Sequence, residues 1–506
     1  MAARYVPRAD RPPGIPDACP GLVLDVPPTS TSVGLRSERG PVLLSLMLST
    51  ALVALDATII ATASATIADE LGAFEQVPWL FSSYLLAQAV STPLAGRLSD
   101  IVGRKRLILA GVGFFFLGSV LCGAAWSMGA MVAGRVLQGL GAGAVMPVSQ
   151  TIAADIYTLE ERARVQGYLA SVWAISSVVG PTLGGVFTEF VSWRWIFLVN
   201  IPLCALAAWM LVRRYHESPL DGDREPIDHR GAVLLAGGSA LLLLGLLEGG
   251  SSWAWVSVPS VTVLALAGAL LLVFVRHVRR VAHPILDLGL LRRRVIGVAT
   301  AISLVVGMVV LGLATYVPIY AQGVLGVGPL MAGFALAAMM VGWPLSASNA
   351  GRFYLRLGFR LTAIIGSTLV VAGTASSLLL GESSPLVAVM GTTFLVGTGM
   401  GLTAVPTLIA AQSSVDHTIR GAVTGINIFA RSLGSAVGVA VCGAIVNARA
   451  TTGPDGMPSG PDLMAAIHLV FVVVAVCGGV IALLAFFLPA DRQAARDRRA
   501  AVRAVD

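Results

Sequence analysis

Charged residues are scarce in this chain. Asp, Glu, Lys and Arg make up 12% of its 506 residues, whereas about 25% is usual for a soluble globular domain. Residues 295–351 contain none of them, and residues 361–415 contain only Glu382. Since a membrane-spanning helix needs about 20 apolar residues, each stretch is long enough for two spans and a tight connection. The chain is therefore predicted to be an all-α membrane protein.

Patterns of reactive or metal-binding residues are also missing. The five cysteines form no CxxC pair, and four of them lie inside apolar runs, as buried free thiols do. The six histidines are scattered without metal-ligand spacing, and there is no Walker loop that would indicate direct use of ATP. Neither an enzyme, a metal site nor a cofactor is expected.

The net charge of +7 does not indicate a nucleic-acid partner, because the basic residues lie in short clusters between apolar runs. Such clusters mark the cytoplasmic loops of a membrane protein. If the N-terminus is placed inside, Arg194 and Arg449 are the only basic residues in the outer loops. We therefore predict a multi-pass protein of the inner (plasma) membrane with cytoplasmic N- and C-termini.

Apolar segments of spanning length divide the chain. Fourteen are expected, at about 41–64, 78–97, 107–126, 129–153, 165–187, 195–212, 231–248, 257–275, 296–317, 329–350, 361–380, 385–409, 421–446 and 464–488. The predicted domains are a disordered cytoplasmic tail at 1–40, a six-helix bundle at 41–212, a linker with two extra spans at 213–294, a second six-helix bundle at 295–488, and a cytoplasmic tail at 489–506.

An internal repeat relates the two predicted bundles. RARVQG at 162–167 resembles RGAVTG at 420–425, 258 residues later, and several glycines recur at the same offset. GRLSDIVGRK at 96–105 likewise resembles GRFYLRLGFR at 351–360. The first six spans thus recur as the last six in the same orientation, and the two middle spans belong to neither copy. Parallel six-helix repeats around a central cavity are typical of transporters that work by alternating access.

Five motifs carry a resemblance to a known family. GRLSDIVGRKR at 96–106, RVLQGLGAG at 135–143 and GPTLGG at 180–185 resemble motifs of the major facilitator superfamily. LDATI at 55–59 and WRWIFLVNIP at 193–202 are similar to its fourteen-span drug/proton antiporter family. The resemblance implies a secondary active transporter that exports lipophilic or cationic drugs, or antibiotic-like metabolites, by proton-coupled antiport.

The chain departs from the family pattern in four places. The Asn and Pro that usually follow LDATI are missing, and Ser176 stands where a further Gly is usual. In the second copy, Leu355 replaces the loop acid and Val439 replaces the Pro. These departures affect what can be said about substrate and coupling, not the fold.

Asp56 and Arg135 are isolated charges inside predicted spans. Asp56 is the one charge between Pro41 and Ala68, and an ionised carboxylate at that depth costs roughly 2.5–3.5 kcal/mol on insertion scales. Arg135, about two turns into the fourth span, is its candidate partner. The pair is predicted to couple proton binding to conformational change. The alternative is a static ion pair that joins two helices.

The first copy also contains a candidate gate at Gly96, Asp100, Gly103 and Arg104. Asp100 is placed to cap the next structured segment and to pair with an Arg across the domain interface. Breaking that pair is expected to favour the inward-open state.

The antiporter motif contributes Gly180, Pro181, Gly184 and Gly185 in the fifth span. Its small residues allow close helix approach and its proline permits a kink. Generic helix packing is the alternative interpretation.

Polar and aromatic residues in other spans are candidates for a substrate cavity with few charges. They are Tyr84, Gln88, Trp173, Trp343, Gln412, Asn427 and Arg431. Each has packing or interhelical bonding as its alternative role. Arg431, a lone charge in the thirteenth span, is predicted either to contact an anionic substrate or to pack against a backbone carbonyl.

The sequence is also compatible with other functions. They are export of a specific metabolite, lipid or siderophore, import of a nutrient, and a non-transporting membrane sensor with the same fold. The expected partners are a small-molecule substrate, protons and the lipid bilayer, with the protein as a monomer.

Overall fold

The computed structural model describes residues 34–60, 63–71, 77–217, 226–249, 253–282, 284–448, 451–452, 458–459 and 463–490. Most of both predicted terminal tails, and Arg449, lie outside these residues.

The described chain is built almost entirely from α-helices. The helices before the middle of the chain are α1 Gly40–Ile59, α2 Ser64–Leu71, α3 Val77–Val102, α4 Arg104–Gly123, α5 Met128–Ile156, α6 Leu159–Phe190, α7 Trp195–Leu198 and α8 Asn200–Arg214. The middle pair is α9 His229–Glu248 and α10 Val258–Val278. The remainder are α11 Arg294–Gly323, α12 Pro329–Leu357, α13 Phe359–Ser376, α14 Leu386–Ser413, α15 Arg420–Asn447 and α16 Leu463–Phe486.

Short elements occupy some of the connections. There are 3₁₀ helices at Leu288–Arg292, Ser377–Leu379 and His417–Ile419. Two antiparallel two-residue strands, β1 Thr451–Thr452 and β2 Pro458–Ser459, follow α15. The short helix α2 and the break at Val199 between α7 and α8 were not expected from the sequence, because α2 follows the first expected span and Val199 lies inside the span expected at 195–212.

Thirteen helical segments in the described part of the chain are long and apolar enough to cross a membrane. Helix α3 is not among them, although its 26 residues are sufficient in length and it replaces the expected span at 78–97. It is less apolar because Ser, Thr, Gln and Tyr side chains line it where it packs between other helices. The prediction of an all-α membrane fold with about fourteen spans is confirmed.

The internal repeat is visible in the backbone. Helices α3 and α4 are separated by Gly103 with φ +106°, and α12 and α13 by Gly358 with φ +85°. An L side chain rarely adopts either conformation, so the same glycine break recurs at the same place in each copy. Packing recurs as well: α3 and α4 pack on α5 as α12 and α13 pack on α14, and α1 packs on α6 as α11 packs on α15.

The two six-helix groups meet along two seams, α3 with α15 and α6 with α12. Because α3 corresponds to α12 and α6 to α15, the seams are related by the repeat. Glycines bring α3 and α15 together: a Cβ on Gly96 would lie 2.9 Å from the Cα of Gly425. We use the term basic end for the end where α3 finishes and α4, α6 and α15 begin, since it carries Arg104, Lys105, Arg106, Arg162 and Arg420.

The middle helices α9 and α10 pack on each other, and α9 also packs on α3 and α15. Asp228 links α9 and α10 at the basic end. Its Oδ1 accepts a 2.8 Å hydrogen bond from the amide of Gly231 and lies 2.8 Å from Nε2 of His277 at the end of α10, while its Oδ2 accepts from the amide of Ile285. The division of the chain into the five predicted domains remains a prediction.

Candidate functional site

A buried ion pair lies at the centre of the first six-helix group. Nη1 of Arg135, on α5, lies 2.5 Å from Oδ2 of Asp56, on α1, and each side chain is 1% exposed. The two isolated charges are therefore brought together across two helices. Their role in proton coupling remains a prediction.

Arg135 has several further partners. Its Nε donates to the carbonyl of Leu80 at 2.9 Å, and its Nη1 also donates to Oε1 of Gln138 at 2.9 Å. The guanidinium lies over the ring of Tyr84, 4.2 Å from the centroid, in a cation–π contact. The hydroxyl of Tyr84 is buried and has no hydrogen-bond partner among the described residues. Tyr84, predicted as a cavity residue, is thus part of this charge network.

Three residues of the network were not singled out in the sequence. Gln138 donates through Nε2 to Oδ1 of Asp56 at 3.1 Å and to Oγ of Ser119 at 2.8 Å. Asn200 donates to the same Oδ1 at 3.4 Å. Gln138 stands three residues after Arg135, one helical turn away on the same face, and that spacing is the signal that identifies it. Ser119 and Asn200 come from distant helices and carry no such signal.

The arrangement makes the contact between α1 and α5 depend on the negative charge of Asp56. In the low dielectric of the membrane an ion pair with additional hydrogen bonds is stable, but either charge left alone is costly. Of the bonds that Arg135 makes, those to the carbonyl of Leu80 and the amide oxygen of Gln138 do not depend on Asp56.

At the basic end, Asp100 joins the two six-helix groups. Its Oδ1 and Oδ2 accept from the amides of Gly421 and Ala422 at 3.0 and 2.8 Å, so it caps the N-terminus of α15. The sequence predicted a cap on the next segment instead. That segment, α4, is capped by Glu217, which accepts from the amides of Arg104 and Lys105. The carboxylate of Asp100 crosses to the other group because Gly96 and Gly421 let α15 approach.

Arginines surround this contact. Nη2 of Arg104 donates to Oδ1 of Asp100 at 3.1 Å and to the carbonyl of His417, and its Nε lies 2.9 Å from Oδ2 of Asp155, at ion-pair distance without hydrogen-bond alignment. Arg420 pairs with Asp155 across the interface. The second seam is joined at the same end by Tyr354, whose hydroxyl donates to the carbonyl of Leu159. The structure is therefore closed at the basic end.

The four residues of the antiporter motif differ in their surroundings. Gly180 faces α1, where an added Cβ would lie 2.9 Å from Cβ of Thr58 and 3.3 Å from the amide of Ile59. Gly184 is buried and Pro181 is half-buried, whereas a Cβ on Gly185 would meet nothing within 4 Å. Close approach to the helix that carries Asp56 thus depends on Gly180 rather than on Gly185.

Two cavity candidates make interhelical bonds. Gln412 is 0% exposed and donates to Oγ1 of Thr424 at 2.9 Å, which joins α14 to α15. Asn427 accepts from Oγ of Ser303 at 2.7 Å and donates to the carbonyl of Ala299 at 3.2 Å, which joins α15 to α11. Both side chains already have partners, as their alternative role implied.

The remaining cavity candidates are half-buried. Trp173 packs on a cluster that includes Tyr84, and Trp343 packs on the core of the second group. Gln88 and Arg431 are half-buried on α3 and α15. Their contact with a substrate remains a prediction.

Comparison with known proteins identifies the family of this chain. The family model for the Major Facilitator Superfamily matches residues 46–439. The chain belongs to the Major Facilitator Superfamily. The superfamily membership expected from its motifs is confirmed, and the protein is a multi-pass membrane transporter of small molecules rather than an enzyme.

Individual relatives share this architecture. The chain is 33% identical over 418 residues to Multidrug resistance protein 3 of Bacillus subtilis, covering 82% of this chain and 81% of that one. It is 31% identical over 433 residues to the MFS-type efflux pump LUC4 of Fusarium sp, covering 83% and 76%. The crystal structure of the human organic anion transporter MFSD10 (TETRAN) superposes with a TM-score of 0.61 at 16% identity, over 88% of this chain and 99% of that one. That last similarity concerns the fold alone.

Proposed function

We propose that this superfamily member exports lipophilic small molecules, drugs or antibiotic-like metabolites, in exchange for protons. The observation that carries the proposal is the buried pair of Asp56 and Arg135. A carboxylate in the membrane interior is costly to maintain, and in membrane transporters such groups commonly serve as proton sites. Relatives named as multidrug or efflux proteins support the direction of transport.

In the proposed cycle, Asp56 takes a proton from outside and releases it to the cytoplasm. While Asp56 is ionised, Arg135 holds α1 against α5. Protonation weakens that contact, and α1 transmits the change to α6 through its close packing at Gly180. Since α6 forms one seam with α12, a shift of α6 alters how the two six-helix groups meet. Closure at the basic end, through Asp100 and Arg420, corresponds to the state that faces outward.

The orientation and environment form part of the proposal. With the basic end in the cytoplasm, both termini are cytoplasmic and the positively charged loops follow the usual rule for membrane proteins. The protein then resides in the inner (plasma) membrane. It functions as a monomer, because each polypeptide contains both six-helix groups.

The experiment that tests the proposal uses inverted membrane vesicles that contain a pH-sensitive dye and are acidified inside. Lipophilic cations, neutral antibiotics and amphipathic organic anions are added one at a time. We expect at least one compound to dissipate the gradient in wild-type vesicles and to fail with Asp56→Asn, which keeps the shape of the side chain and removes its titratable group.

The matched control is Glu382→Gln, which removes an exposed carboxylate between α13 and α14, at the end of the molecule opposite the basic end. This variant should behave as wild type. Equal dissipation by wild type and Asp56→Asn would exclude Asp56 as the coupling site. No dissipation by any compound in wild-type vesicles would instead favour a narrow-substrate exporter of a metabolite, lipid or siderophore.

A further inference from the structure

Two arginines lie deep within the spans, and they differ sharply in their surroundings. Arg135 has a carboxylate, a carbonyl, an amide oxygen and an aromatic ring as partners. Arg431 is the twelfth residue of α15. At 1.5 Å per residue it lies about 16 Å from the start of that helix, near the middle of a bilayer core about 30 Å thick.

The guanidinium of Arg431 makes no hydrogen bond or ion pair with any residue that the structure describes. The polar groups near it on α15 are already occupied. Asn427 is bonded to Ser303 and Ala299, and Ser435 donates to the carbonyl of Gly307. Packing of Arg431 against a backbone carbonyl, one of the two roles expected from the sequence, is therefore not realised as a hydrogen bond within the described chain.

The helix geometry places Arg431 on a different face of α15 from Ile426 and Ala436. Ile426 packs in the cluster formed with α9 and α10, and Ala436 packs with Ala89 of α3 and Leu243 of α9. Each is five residues from Arg431, which is about 140° around the helix at 100° per residue. Arg431 thus points away from both packed faces. It is half-buried, so part of its side chain is accessible to a small molecule.

The internal repeat gives the residue of the first group that corresponds to Arg431. Subtracting the offset of 258 residues places Trp173 of α6 at the equivalent position. Trp173 is also half-buried and packs on the cluster that contains Tyr84. At the same depth, one group therefore offers an indole and the other a guanidinium. Together these are complementary to a molecule with an apolar body and a negative charge.

The charges in the interior also do not balance. Asp56 and Arg135 neutralise each other, whereas Arg431 has no described counter-ion. An isolated cation at this depth is energetically costly, and an anion that binds beside it removes that cost. A guanidinium matches a carboxylate, sulfonate or phosphate group by two parallel hydrogen bonds.

We propose that Arg431 binds the anionic group of an amphipathic organic substrate. This inference rests on the proposed efflux function and specifies its substrate class: the cavity prefers amphipathic anions to neutral or cationic molecules of the same shape.

The test is a binding measurement, so that it remains informative even if proton coupling fails. Two fluorescent probes that differ by one sulfonate are used, 1-anilinonaphthalene-8-sulfonate and the neutral N-phenyl-1-naphthylamine. The purified full-length protein is placed in nanodiscs of zwitterionic lipid, and the signal from empty nanodiscs is subtracted. Arg431→Gln removes the charge, and Arg431→Lys retains a charge without the planar fork.

We expect Arg431→Gln to weaken sulfonate binding by about tenfold or more, which is the range of a charge-assisted hydrogen bond, and to leave binding of the neutral probe unchanged. Arg431→Lys should retain part of the preference for the sulfonate over the neutral probe. It serves as the reference if Arg431→Gln does not fold. Equal loss for both probes, or no loss for the sulfonate, would overturn the proposal. Nanodiscs that contain an anionic phospholipid identify a competing occupant: displacement of the sulfonate by that lipid would assign the site to a headgroup instead of a soluble substrate.

Discussion

Nη1 of Arg135 and Oδ2 of Asp56 are 2.5 Å apart in a position where both side chains are 1% exposed. Each side chain supplies the opposite charge that the other needs in order to be buried. Removing one partner leaves an uncompensated charge, whereas removing both leaves polar groups that Gln138 and Leu80 can still bond.

We therefore expect non-additive effects from this pair. Arg135→Gln alone should destabilise the protein by about 3–5 kcal/mol, the range for breaking a buried pair. The double variant Asp56→Asn with Arg135→Gln should be more stable than Arg135→Gln alone. Unfolding of the four proteins in detergent, followed by tryptophan fluorescence, gives the interaction energy of the cycle. Additive losses would show that the two side chains do not depend on each other.

Within the antiporter motif, Gly180 and Gly185 form a matched pair for mutation. Gly180→Ala should destabilise the protein by about 1–3 kcal/mol, because the new methyl group would meet Thr58 and push α6 from α1. Gly185→Ala should be neutral, since its surroundings are open. Thermal unfolding and vesicle transport measured side by side would distinguish them. If the two variants behaved alike, close approach at Gly180 would not be what the motif provides.

At the basic end, Asp100→Asn should favour separation of the two six-helix groups. The charge-assisted bonds to the amides of Gly421 and Ala422 would weaken, with a shift of about tenfold in the open-to-closed ratio. Ser99→Cys reports this shift: Ser99 is 0% exposed in the closed interface, so a thiol there should react with an impermeant maleimide only on opening.

Asp416→Asn in the same Ser99→Cys background is the control, because Asp416 is exposed and makes no side-chain cap. Its labelling rate in inverted vesicles should match that of the parent. An unchanged rate in Asp100→Asn would mean that Asp100 is not part of the gate.

The anchor of the middle helices has a defined pH dependence. Burial raises the pKa of Asp228, but hydrogen bonds from His277, Gly231 and Ile285 outweigh burial and hold that pKa below its ordinary value of 3.8. A lowered carboxyl pKa contributes stability that is present above the ordinary value and is lost as pH falls through the folded-state value.

Accordingly, Asp228→Ala should destabilise the protein by about 1 kcal/mol at pH 7, which is typical for loss of an N-cap. The difference from wild type should shrink below about pH 4. Thermal unfolding at both pH values measures it, with Asp416→Ala as a cap position that has no side-chain bond. A difference that persists unchanged in acid would assign the effect to packing rather than to the carboxylate.

Much of the fold could be predicted from the sequence because the membrane imposes a simple requirement on composition. The charge-free stretch at 295–351 predicts two spans and forms α11 and most of α12. Prediction was weakest where tertiary contacts override composition. Helix α3 is less apolar over a membrane-length stretch than the other long helices, and Ser91 and Ser99 lie where it packs on α5 and α15. Ile60 continues an apolar run but lies beyond the end of α1.

Part of the site could be predicted because charged residues are rare inside the spans. An isolated Asp56 and an isolated Arg135 have few candidate partners, so their proximity could be expected. Ser119 lies in none of the quoted motifs, and Asn200 lies in WRWIFLVNIP at 193–202 without a spacing that links it to Asp56, so their part in the network depends on how α4 and α8 pack. Gln412 and Asn427 looked the same as cavity residues in the sequence, because nothing local distinguishes an amide that faces a cavity from one that bonds a neighbouring helix.

The packing of α9 gives the molecule a closed side and an accessible side. This helix lies against both α3 and α15, so it covers one of the two seams, while among the described helices the seam between α6 and α12 has no comparable cover. Exposed apolar side chains such as Ile175 and Leu345 line the helices of that uncovered seam. Contact with α9 thus leaves the α3–α15 seam covered and the α6–α12 seam facing outward with apolar side chains. In a bilayer, lipid tails and lipophilic compounds dissolved among them would contact the α6–α12 seam directly, without first entering water.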